Sequence, residues 1–262
     1  MPRPNGSRSE QAPRALGLDG TSEGWCAVIV VAGRVEDAFL EAEAARAVAR
    51  AAPTAVAVDM PVGLVATGTR EADAAARARL PGAASTVFSA PPRPVVEAWR
   101  AGQARTHAEA SALARHHTGQ GISQQAWRLV PKVAEVDALA GAWGDALREV
   151  HPEVAFRVLA GERRLARKRS WQGLRERGRL LEEVGVAVPD RFAGADRVAP
   201  DDVLDAAVCA WVAAGLAAGE GLRPHPERPT QADGARTIAI WSRAPQRAED
   251  SGEAAAAGPV NP

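Results

Sequence analysis

Residues 15–40 read ALGLDGTSEGWCAVIVVAGRVEDAFL. ALGLDG (15–20) is a short apolar run that ends on Asp19 and Gly20. GWCAVIVVAG (24–33) is rich in β-branched residues, and RVEDAFL (34–40) follows it across Gly33 and Arg34. Three such runs separated by turn residues predict a three-stranded antiparallel meander. Next, EAEAARAVARAA (41–52) is built from strong helix formers and is stopped by Pro53. TAVAVDM (54–60) is a continuous apolar run closed by Pro61, the pattern of a strand buried on both faces.

Residues 62–145 have another character and are expected to form a helical insertion capping the sheet. They predict helices at about 70–80, 95–117 and 123–141, with a turn at PPRP (91–94). ALREVH (146–151) predicts a fifth strand broken by Pro152. Helices are expected at about 171–185 and 201–218, the second opened by Pro200, Asp201 and Asp202, and ARTIAIW (235–241) closes as a short strand. The order predicts an α/β fold: a mixed sheet of RNase H-like architecture, with an antiparallel meander, parallel strands and helices on both faces. Residues 1–14 and 243–262 are polar or Pro- and Ala-rich without periodicity and are expected to be disordered tails around a folded unit at 15–242.

The chain has 262 residues, 32 basic and 32 acidic, and 46% apolar types. That suits a globular domain with a large core and argues against a basic coat over the whole molecule. Two cysteines, Cys26 and Cys209, are too few for a disulfide framework or a four-thiolate zinc site. With neither a run of about 18 apolar residues nor a signal-peptide core, the expectation is a cytoplasmic protein without a membrane partner.

The acids carry the chemistry. Asp19 ends the first strand and Asp59 the fourth; if those strands are neighbours, the two carboxylates lie side by side. Adjacent carboxylates stay ionised together only around a cation, and hard ions such as Mg2+ bind through one or two carboxylates plus waters and phosphates. Asp202 and Asp205 share a helix face, and Asp205 lies among small apolar residues. Glu149, His151 and Glu153 alternate as if on one side of a strand. Residues 157–179 hold nine Arg or Lys against Glu162 and Glu176, a local excess suited to a polyanion.

GLDGTSEGW (17–25), AVAVDMPVGL (55–64), EVHPEVAF (149–156), KRSWQGLRERGRLL (168–181) and DDVLDAAVCAWVA (201–213) resemble, in order, the predicted RNase H-like nuclease family catalogued as domain of unknown function 429. The resemblance implies a metal-dependent nuclease with two Mg2+ or Mn2+ ions held by Asp19, Asp59 and Asp205. It also implies Glu149 and Asp202 as additional acids, and Arg167, Lys168, Arg169 and Arg177 as contacts to a DNA or RNA substrate. Two other readings compete. LDGTSEG (18–24) loosely resembles the first phosphate loop of actin-like ATPases and sugar kinases, which suggests a nucleotide-binding phosphotransferase on the same fold. The acids of a non-catalytic binding module would be structural.

Overall fold

A computed structural model describes residues 12–192 and 195–245. Strands β1 (Arg14–Thr21), β2 (Gly24–Val31) and β3 (Arg34–Glu41) form the expected meander. Helix α1 (Ala44–Ala51) crosses to β4 (Ala55–Asp59), which pairs parallel with β1. β5 (Leu147–Glu149) pairs parallel with β4. Two short C-terminal strands, β6 (Arg223–His225) and β9 (Ile240–Ser242), complete a seven-stranded mixed sheet in the order β3-β2-β1-β4-β5-β9-β6. A separate hairpin joins β7 (Ala232–Asp233) to β8 (Arg236–Thr237). The fold is the RNase H-like α/β architecture expected of the sequence.

Between β4 and β5 lie α2 (Glu71–Arg79), α3 (Arg93–Arg100), α4 (His107–Thr118) and α5 (Gln124–Trp143). The single helix expected at 95–117 is two. Gly102, at φ +69°, ends the first, and a Thr106–Glu109 capping box starts the second. Pro152 does more than break the fifth strand: it is the first residue of α6 (Pro152–Leu159), where its missing N–H costs nothing. His151 and Glu153 therefore do not continue the strand of Glu149. The run 235–241 is split between β8 and β9. Of the expected tails, 1–11 and 246–262 lie outside the described residues, and Arg14 opens β1.

Each sheet face carries a core. Helices α1, α3 and α5 cover one face with Leu16, Leu18, Ile29, Val56 and Val58 of the strands. On the other face lie α6, α7 (Trp171–Glu183) and α8 (Pro200–Ala217), against Ala15, Cys26, Val28 and Ala57. α8 is buried on nearly every side from Asp201 to Gly215, which accounts for its mostly apolar sequence. Among the described residues no helix is long and apolar enough to cross a membrane.

Gly17 of β1 sets how closely α8 sits. A Cβ there would lie 2.0 Å from the carbonyl oxygen of Ala206 and 2.3 Å from the backbone nitrogen of Ala210. Gly178, in the middle of α7, has open space instead. Gly17→Ala is expected to destabilise the protein by about 3 kcal/mol, through overpacking against a backbone that cannot give. Gly178→Ala is expected to stabilise it by about 0.5–1 kcal/mol through helix propensity. Chemical denaturation of both variants checks the pair.

Candidate functional site

The β1–β4 register sets Asp19 directly opposite Asp59 at the C-terminal ends of two parallel strands. α8 crosses this sheet face, and Asp205, adjacent to the Ala206 that rests on Gly17, lies with them at the strand ends. Asp19 and Asp205 are buried; Asp59 keeps part of its residue surface exposed at a cavity wall but is hemmed in by protein.

Their protonation reflects that crowding. Burial, then the charge of Asp59, then those of Asp205 and Asp202, push Asp19 well above the usual carboxylate range. Burial and the neighbouring Asp205 raise Asp59 from 3.8 to about 8. Burial raises Asp205 to about 6, although Lys168 opposes it. Half-buried Asp202 is also raised, by burial and by Asp201. The thiols of Cys26 and Cys209, buried beneath the cluster, are pushed up by burial and by these carboxylates, so neither is a thiolate nucleophile.

One side-chain cation enters the cluster. Lys168 Nζ donates to Asp205 Oδ2 at 2.6 Å and lies 3.4 Å from Asp201 Oδ2, while Arg169 Nε reaches Asp201 at 3.0 Å. Burial opposes the charge of Asp201, but Arg169 and Lys168 hold its pKa below the usual value. On the other flank α5 brings in Lys132, which donates to the Gly24 carbonyl at 2.6 Å and lies over the Trp25 ring; burial lowers its pKa, opposed by Glu135 and then Asp19. Lys132 and Lys168 are the two lysines among 32 basic residues, and both stand beside the acids. Their rarity is a sequence signal for the site.

Asp59, Asp205 and Lys168 line a cavity of about 480 Å³. One wall is the segment Leu80–Thr86, and the facing wall is the basic segment 163–169. The walls are joined by the ion pair of Arg79 with Glu162. His151 also lines the cavity; burial lowers its pKa to about 4, so its imidazole is neutral near pH 7 and its buried Nδ1 has no hydrogen-bond partner.

The basic segment is less free than its composition suggests. Arg177 was expected to contact substrate but is buried. It donates to Glu153 at 3.0 and 2.7 Å and to the Ala166 and Gly173 carbonyls, so it anchors the segment onto α6 and α7. Arg157 pairs with Glu162 and Arg163 with Glu176. Among the described residues of the cavity rim, Arg164 and Arg167 have no carboxylate partner.

Glu149 is not grouped with the aspartates. Buried Arg70 grips both its oxygens, and Val62 N–H donates to it at 2.8 Å. Arg70 also donates to the Gly63 and Val62 carbonyls and, at 2.7 Å, to Asp73, which therefore does not pair with Arg77 in the helix as its spacing suggests. This network ties down the turn that follows Asp59. Sequence reasoning missed Arg70, because its partner lies 79 residues away.

No group of three or more His, Cys, Asp or Glu among the described residues is disposed as a ready metal cage. The ammonium of Lys168 takes one oxygen of Asp205. The other, Oδ1, is buried without a hydrogen-bond partner. An orphaned buried carboxylate oxygen beside two raised carboxylates is a donor set that suits a hard divalent cation.

The model of the family described as "Protein of unknown function (DUF429)" matches residues 17–231. No curated protein and no solved structure matches the chain.

The raised acids give a signed dependence of stability on pH. Between the ordinary value of 3.8 and about 8, folded Asp59 keeps a proton that the unfolded chain releases. Stability in chelator is therefore expected to fall as pH rises through that window, and the part due to Asp59 levels off above it. Asp59→Asn should flatten the fall and leave the protein at least as stable as wild type at pH near 8. Melting temperatures measured in EDTA across pH 5–9 check both; an Asp59→Asn protein that unfolds would make Asp59 a structural cap.

Proposed function

We propose that this protein, which belongs to the family described as Protein of unknown function (DUF429), is a metal-dependent nuclease that hydrolyses phosphodiester bonds of nucleic acid. The observation that carries this reading is the grouping of Asp19 with Asp59 and Asp205, the latter two lining a cavity rimmed by arginines, with Asp205 Oδ1 left unpartnered. Asp19, Asp59 and Asp205 would hold Mg2+ or Mn2+, with Asp202 at their edge. A divalent cation bound there supplies Lewis-acid activation of a water and stabilises charge on the leaving oxygen.

The chain's own residues do the rest. Lys168 neutralises Asp205 and Asp201 in the metal-free protein and keeps the acids from repelling one another. Its ammonium also lines the cavity, where it would meet a phosphate oxygen of the substrate. Arg164 and Arg167 attract the backbone from the rim. Arg70 holds the turn after Asp59 through Glu149, so Glu149 acts as a positioning residue. A nucleotide or other small phosphorylated substrate is the second reading, favoured by a cavity of about 480 Å³, the size of a small-molecule site.

Purified protein with Mn2+ is expected to cleave at least one of a panel of single-stranded, duplex and branched DNA and RNA substrates. EDTA should abolish the cleavage, and Asp19→Asn or Asp205→Asn should slow it by about 100-fold or more, an electrostatic contribution of about 3 kcal/mol. Hydrolysis of nucleotides alone would favour the second reading; inertness toward both would overturn the enzyme assignment.

Salt dependence checks the rim separately. Each phosphate neutralised releases counterions, so binding of an oligonucleotide should weaken steeply with salt. Replacing Arg164 and Arg167 together by Ala is expected to flatten that slope by roughly two contacts. A salt titration in EDTA measures it, and unchanged slopes would leave the rim a solvated surface.

A further inference from the structure

Trp171 is the large apolar side chain left exposed among the described residues, at 78%. It opens α7 two residues after Arg169, which lines the cavity, and one after the helix cap Ser170. The cap does not need the indole: Ser170 Oγ accepts from Gly173 N–H at 3.0 Å and donates to the Arg167 carbonyl at 2.7 Å. The turn is also tightly packed. A Cβ at Gly173 would lie 2.0 Å from the Arg167 carbonyl oxygen, so the backbone of Arg167 rests directly on the start of α7. The rim cation Arg167, the cluster cation Lys168 and the exposed indole are thus mounted on one rigid turn. Arg175, a helical turn further on, lies over the ring 5.8 Å from its centroid.

We propose that Trp171 is a stacking platform for an unpaired nucleobase next to the phosphate held at the cavity, so that the substrate class is single-stranded nucleic acid. This rests on the nuclease reading and deepens it. An exposed indole two residues along the chain from Arg169 of the cationic cavity wall offers a base an apolar π-face close to charges that attract its phosphate. Base–aromatic stacking combined with a basic track is how proteins grip single strands, whatever the sequence. In a duplex the bases are already stacked on one another, and their faces are closed to the indole.

The test is equilibrium binding in EDTA of two labelled strands of equal length, an oligothymidylate and an abasic oligonucleotide, with a duplex of the same length as a third ligand. Wild type should bind the oligothymidylate more tightly than either of the others. Trp171→Ala should weaken the oligothymidylate about tenfold and leave the abasic strand unchanged, and Trp171→Phe should restore most of the loss. The exposed position makes misfolding of these variants a minor concern, and their melting temperatures verify it. Equal affinity of wild type and Trp171→Ala for oligothymidylate, or equal losses on both strands, would overturn the stacking assignment while leaving the nuclease reading standing. A change of oligomeric state in Trp171→Ala would overturn it too, because the indole would then be a self-association contact. Wild type that binds no strand, and with Mn2+ cuts none, would overturn both.

Discussion

The contact between α8 and β1 is the constraint on which the site depends. A helix normally stands off a sheet by the depth of its side chains, but at Gly17 the strand has no side chain and the backbone of Ala206 and Ala210 comes down onto it. That approach carries Asp205, one residue before Ala206, to the end of the strand where Asp19 already faces Asp59. The apolar burial of α8 supplies the energy for this, and a missing methyl group supplies the geometry. Three acids from distant parts of the chain are brought together against their own repulsion because the surrounding core is larger than the penalty.

The penalty is managed in two ways. Lys168 and Arg169 reach across from the segment before α7 to the acids of α8, and burial keeps protons on the carboxylates that remain. Beneath Asp59, Arg70 and Glu149 form a buried pair fully supplied with partners, so they stiffen the turn without adding an unpaired charge. The cluster is therefore held by ion pairs and retained protons in a fold built to tolerate it.

Much of the fold was legible along the chain because it is written in local patterns. The apolar and β-branched runs between turn residues marked β1 to β4, and Asp19 and Asp59 stood out as charges ending apolar strands. What was not legible depends on non-local pairing or on ambiguous punctuation. Pro152 marks a strand end and a helix start equally well, so α6 was not foreseen. The two- and three-residue strands after α8 carry too few side chains to show a period. The nine basic residues of 157–179 looked like an open patch because their partners, Asp201, Asp205 and Glu153, are supplied by other helices. Arg177 was misread for the same reason: only the packed structure shows that a guanidinium can be swallowed whole by one carboxylate and two carbonyls.

The two lysines have a consequence of their own. Arginine supplies nearly all the positive charge in this chain, and a guanidinium stays protonated and is a poor nucleophile. One lysine ε-amine, that of Lys168, stands in the acid cluster, and the other, that of Lys132, on its flank against the Gly24 carbonyl. Side-chain amine chemistry is therefore addressed to one place on the molecule. Acylation of Lys168 would strip the counter-charge from Asp205, and occupancy of the site would shield that amine from reagent. The protein carries a built-in reporter, in which reactivity toward an amine-directed label reads the state of the carboxylates beneath it.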